Sequence, residues 1–107
     1  MKFLTISRMT DSAALCPPAI MRHMLEATLA WVDAQKKAGN ILEIYAIPGG
    51  RTAVICNHPS AEDAAKTIAS IPMGAFMNFE TYALADFDET MKAYVESLKR
   101  AEQSLPK

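Results

Sequence analysis

The segment Pro48-Gly49-Gly50 constrains the chain more than any other short stretch of it. It separates two runs with alternating side chains, Ile41–Ile47 and Arg51–Cys56, and a Gly-rich turn between two such runs reads as a β-hairpin. A helical pattern ends at Gly39 just before the hairpin, and another begins at Ser60 just after it. Each of these helices has a further alternating run beyond it. A hairpin bracketed in this way leaves few ways to close a sheet.

The first outer run is Lys2–Arg8, ended by the turn residues Thr10-Asp11-Ser12. Pro17-Pro18 then opens a helix, since the first turn has no use for the missing N–H. The pattern over Ala19–Ala38 is helical, with one apolar stripe through Ile20, Met24, Ala27, Trp31 and Ala34. A second stripe runs beside it through Met21, Leu25, Leu29 and Val32, so the helix is expected to be more than half buried. Ser60 with Asp63 three residues on forms a capping box for the second helix, which carries Ala64, Ala65, Ile68 and Ile71 inward and stops at Pro72. The last outer run lies in Ile71–Leu84, where Asn78, Glu80 and Tyr82 alternate with Met77, Phe79 and Thr81. Asp86 and Glu89 then cap a third helix, striped by Phe87, Met91, Tyr94, Leu98 and Ala101.

The order is β-α-β-β-α-β with an added C-terminal helix. It predicts an α+β, ferredoxin-like single domain over 1–107, with a four-stranded antiparallel sheet and helices on one face. Leu4, Ile6, Leu42, Ile44, Phe79 and Val54 are expected beneath the helices. Thr5, Ser7, Glu43, Tyr45, Asn78, Glu80 and Tyr82 are expected on the open face. The stripe on the third helix is too apolar to leave in water, so a homodimer or larger homo-oligomer is expected.

With 107 residues, a formal net charge of −1 and 21% charged side chains, the composition lacks the basic footprint of a nucleic-acid binder. Two cysteines and no CxxC suit a reduced, cytoplasmic setting. The segment MKFLTISRM has no long apolar core, and no stretch approaches the ~20 apolar residues that span a bilayer. Neither a metal-ligand spacing nor a P-loop is present, so no metal, no cofactor and no membrane partner are implied.

Two segments resemble muconolactone isomerase and its relatives. One is the spacing from Gly39 across the second strand to Gly49, continuing to Pro59-Ser60. The other is Pro72, Met73, Phe76, Met77, Glu80 and Leu84, which fit a Pro–apolar–aromatic–Met–Glu–Leu pattern. The resemblance implies a dimeric α+β barrel and a cofactor-free isomerase that shifts a double bond in a lactone or similar unsaturated small molecule by proton transfer. The chain departs from the family with Tyr45-Ala46 where a basic residue falls late in the second strand. It has a single Glu26 where helix 1 of the family carries an acidic cluster.

Such a reaction needs a base near an acidic C–H and donors for the developing enolate. Glu80 is a candidate base, on the pattern and beside Tyr82; the competing reading is an ion pair where sheets meet. Glu43 and Tyr45 repeat the Glu-x-Tyr arrangement, which cross-strand pairing also explains. His23, between the stripes of helix 1, is a third candidate base, whereas His58 reads as a turn residue facing solvent or bonded locally. Arg51 is a candidate anchor for a carboxylate. Trp31, Met24, Met73 and Phe76 are candidates to line an apolar ligand cavity, although such spacing is also that of core. Cys56 reads as a buried filler. Two other functions suit the same scaffold: a non-catalytic oligomeric domain that binds small molecules, and a cofactor-free monooxygenase or cyclase.

Overall fold

A computed structural model describes residues 1–106. Strand β1 (Lys2–Met9) is followed by a 3-10 turn (Asp11–Leu15) and helix α1 (Pro18–Lys37). The hairpin strands β2 (Ile41–Ile47) and β3 (Arg51–Asn57) lead to α2 (Ala61–Ala69). A second 3-10 turn (Gly74–Phe76) precedes β4 (Met77–Leu84) and α3 (Phe87–Gln103). The strands form one antiparallel sheet in the order β2-β3-β1-β4, the ferredoxin-like topology.

The local signals act as their chemistry dictates. Gly49 and Gly50 take φ of 102° and 81° at the hairpin turn, a region closed to most L side chains. The Asp63 amide donates to Ser60 Oγ at 3.1 Å, and the Glu89 amide to Asp86 Oδ2 at 2.9 Å, so both capping residues satisfy helix donors. Pro18 occupies the first turn of α1.

Side chains paired across antiparallel strands share a face, and the register assigns β1 differently from its hydrophobicity. Phe3 stands opposite Cys56 and Ala83, Thr5 opposite Val54 and Thr81, and Ser7 opposite Thr52 and Phe79. Phe3, Thr5 and Ser7 are buried beneath the helices, while Leu4 and Ile6 lie half-buried on the open face. This corrects the expectation for these residues. Burial of the two hydroxyls is sustained by partners on neighbouring strands: Thr5 Oγ1 lies 3.0 Å from Thr81 Oγ1, and Ser7 Oγ bonds Thr52 Oγ1. An irregularity between Ile41 and Glu43 also buries Ile41 against Cys56 and leaves Leu42 exposed. Ile44, Val54 and Phe79 sit on the helix side as expected.

Helix α1 covers less than its stripes suggest. Met21, Met24, Thr28, Trp31, Val32 and Gln35 are half-buried at helical spacing, whereas Ile20, Leu25 and Leu29 remain exposed. Helix α3 runs away from the sheet, and the molecule measures 71 × 30 × 23 Å.

Candidate functional site

The sheet and the two covering helices do not close completely on each other. Between them lies a cavity of about 110 Å³. Its floor is the helix side of the sheet, with Thr5 and Ser7 from β1, Thr52, Val54 and Cys56 from β3, and Phe79 from β4. Its roof is Thr28, Trp31 and Val32 of α1 with Thr67 and Ile68 of α2. The roof is tied at the C-terminal end of α2: Trp31 Nε1 donates to Ser70 Oγ at 3.0 Å, and Ser70 Oγ donates to the Thr67 carbonyl at 2.6 Å.

His58 lines this cavity. It is only 5% exposed, which overturns its reading as a solvent-facing turn residue. Its amide donates to the Met1 carbonyl at 3.0 Å, and its ring lies 6.4 Å from that of Phe3 at a tilt of 49°. Two residues earlier, burial pushes the Cys56 thiol pKa up, partly opposed by its hydrogen bond with Thr5. The thiol is therefore protonated at neutral pH, a donor rather than a nucleophile. Thr28 contributes a hydroxyl that is buried with no hydrogen-bond partner among the described residues. Among the described residues no Asp, Glu, Lys or Arg lines the cavity.

A second, wider groove of about 440 Å³ lies beside the hairpin turn and shares Thr28, Thr52 and Met77 with the cavity. Met73, the most deeply buried side chain of the molecule, and Arg51 belong to its lining. Arg51 is exposed and stands opposite Arg8 in the register, two like charges with no acid bonded to either among the described residues.

The remaining candidates lie elsewhere. Tyr82 donates to Glu80 Oε2 at 2.8 Å on the open face, and this bond to a carboxylate raises the phenol pKa. Glu43 and Tyr45 are exposed on the same face, on β2 rather than β4. β2 and β4 are the outer strands, so the two Glu-Tyr pairs are three strand spacings apart, roughly 14 Å. Ile6, Ala53, Leu4 and Ile55 form an apolar strip between them. His23 is exposed on α1. Met24 is half-buried on the inner side of the same helix, and Phe76 is half-buried in the second 3-10 turn. Of the sequence-derived candidates, Trp31 alone lines the cavity, and Met73 and Arg51 reach its neighbouring groove. Among the described residues no three His, Cys, Asp or Glu side chains converge on a metal site, and no helix is long and apolar enough to cross a membrane.

No family model matches the chain, and no curated protein matches it. Solved structures do. The chain superposes on muconolactone isomerase with a TM-score of 0.70 at 18% identity, over 80% of this chain and 90% of the other. It superposes on 5-chloro-2-hydroxyhydroquinone dehydrochlorinase from Burkholderia phenoliruptrix AC1100, solved with 2,5-dihydroxybenzoquinone, with a TM-score of 0.60 at 16% identity. That match covers 83% of this chain and 98% of the other. At these identities the likeness speaks for architecture, and the chain has the muconolactone isomerase-like fold.

Proposed function

We propose that the protein is a cofactor-free isomerase that moves a proton between carbons of a small, uncharged, unsaturated carbonyl compound, a lactone or similar single ring. The observation that carries this reading is the cavity itself, partly open, lined mainly by apolar side chains and bearing, among the described residues, one imidazole and no charged side chain. An engineered apolar cavity of ~150 Å³ takes up benzene, so the space here suits one small ring. An ionised carboxylate buried there without a cation would be opposed by several kcal/mol of desolvation. His58 is the base: neutral imidazole removes a proton from carbon beside the carbonyl and returns it at another carbon, leaving no net change in charge or redox state. Thr28 Oγ1 is the donor for the developing enolate oxygen, since the Cys56 S–H is already given to the Phe3 carbonyl at 3.6 Å. The folds of an isomerase and a dehydrochlorinase, both named for chemistry on small molecules, support this class of ligand.

A second reading places the chemistry at Glu80 and Tyr82, supported by their 2.8 Å hydrogen bond on the open face. The working form in either case is a homodimer or larger homo-oligomer, supported by the apolar strip of the open face and the uncovered stripe of α3.

The test is a panel of small unsaturated lactones and enones, with binding followed by calorimetry and proton exchange by NMR. Val54→Phe, which fills the cavity, is expected to abolish binding. His58→Gln is expected to retain binding and lose about 100-fold or more in turnover. Loss of turnover in Glu80→Gln with His58→Gln unaffected would move the chemistry to the open face and refute the cavity reading.

A further inference from the structure

We propose that the cavity and the groove beside the hairpin turn are one continuous site, in which the groove takes an apolar substituent carried on the carbon next to the ligand's carbonyl. The inference rests on the cavity reading above and narrows the class of ligand from a bare unsaturated ring to one with an alkyl or aryl arm at that carbon.

Three observations lead to it. First, the two spaces run into each other. Thr28, Thr52 and Met77 border both the cavity of about 110 Å³ and the groove of about 440 Å³. A cavity of ~150 Å³ is filled by benzene, so one small ring uses up the inner space and whatever else the ligand carries must lie in the outer one. Second, the groove is built for an apolar arm of variable shape. Met73 and Met77 lie in its lining with Leu25, Ile47 and Pro48, and methionine side chains repack readily around different partners. Leu25 is 47% exposed there, apolar surface that such an arm covers. Arg51, exposed where the hairpin turn meets β3, is the one charged residue of the lining among the described residues. A Cβ built on Gly49 or Gly50 meets no atom within 4 Å, so the turn leaves the mouth of the groove clear. Third, the junction carries a polar atom that fixes the ligand's direction. Thr28 Oγ1 is buried without a partner, on a residue that borders both spaces. A carbonyl oxygen that accepts from it places the adjacent carbon at the opening into the groove. A substituent across the ring from that carbonyl meets the cavity wall instead.

Calorimetric titration of the intact protein tests this, with unsaturated five-membered lactones alkylated next to the carbonyl, from methyl to hexyl, and their isomers alkylated across the ring. Affinity is expected to rise up to about 4-fold per methylene in the first series and to stay flat in the second. Ala46→Trp and Leu25→Gln, both at exposed positions of the groove wall, are each expected to flatten the first series. Val54→Phe, inside the cavity, is expected to weaken every member of it. A methyl compound that binds, followed by no gain with chain length, overturns the groove and leaves the cavity reading standing. Equal gains in the two series, or a rise untouched by both groove variants, overturn the placement proposed here. An affinity for the hexyl compound that falls as protein concentration is raised means that another copy covers the groove, and overturns it as well. Binding of no member overturns the groove and the cavity reading together.

Discussion

Thr28 offers a way to separate what the cavity does for stability from what it does for a ligand. Its hydroxyl is buried without a partner, and an unmet polar group of this kind destabilises a fold by about 1–3 kcal/mol. Valine has the same shape and nearly the same helix propensity, so Thr28→Val removes the polar atom and little else. Thr28 is only half-buried as a residue, which favours the lower end, about 1 kcal/mol of added stability. For a domain of this size that is a rise in Tm of about 4–8 °C. The same substitution deletes a donor to the ligand oxygen, and a hydrogen bond of about 0.5–1.5 kcal/mol corresponds to a 2- to 13-fold loss in affinity. Thermal unfolding followed by circular dichroism and calorimetric titration with a neutral lactone read the two effects separately. Thr28→Ala is the control, since it removes the hydroxyl but also leaves space above the floor. A Thr28→Val protein that melts at or below the wild-type temperature would refute the assignment of an unmet donor at this position.

Three further outcomes follow from particular contacts. Burial raises the Cys56 thiol pKa, so its contribution to stability is complete below the unfolded-state pKa of about 8.5 and falls as pH rises above it. Urea midpoints between pH 7 and 10 are expected to decline more steeply for wild type than for Cys56→Ala; parallel curves would sink this. Ser60→Ala removes the cap that starts α2, at the end of the helix opposite Trp31's anchor, and is expected to destabilise by about 1 kcal/mol in denaturant unfolding, with the deficit largely absent in Ser60→Asp. Tyr82 is expected to ionise at higher pH than an unpaired tyrosine in ultraviolet titration, and Glu80→Gln to bring it down; an unmoved titration in that variant would mean the hydrogen bond does not form in solution.

What could be read from the sequence was whatever is decided within a few residues. The Gly49-Gly50 turn and the caps Ser60 and Asp86 each depend on neighbours at most a turn away and fall where their chemistry indicates, while α2 ends at Ala69, three residues ahead of Pro72. The face of β1 was not of that kind. Thr5 and Ser7 are stable inside because Thr81 and Thr52 supply hydroxyls 76 and 45 residues distant, and no local pattern displays such a pairing. The two alternating sets of β1 are both partly apolar, so hydrophobicity could not choose between them. His58 was hidden for a related reason. A His-Pro step looks like a surface turn, yet here β1 pairs alongside and the Met1 carbonyl takes its amide proton, which carries the ring down to Phe3. The one legible signal was the placement of His58 two residues after Cys56, just past the end of a strand. The open-face acids were legible as exposed polar residues, but their separation onto opposite outer strands emerges only from strand order.

The hydrogen bond that ties Trp31 to Ser70 across the roof has a practical consequence. The chain contains a single tryptophan, and that indole is both a wall of the cavity and the link between the two covering helices. Its emission therefore reports on the interior without any label. A ligand that enters should displace water from the ring and shift the spectrum to shorter wavelength, and separation of α1 from α2 should shift it the other way, so filling and opening of the cavity carry opposite optical signs.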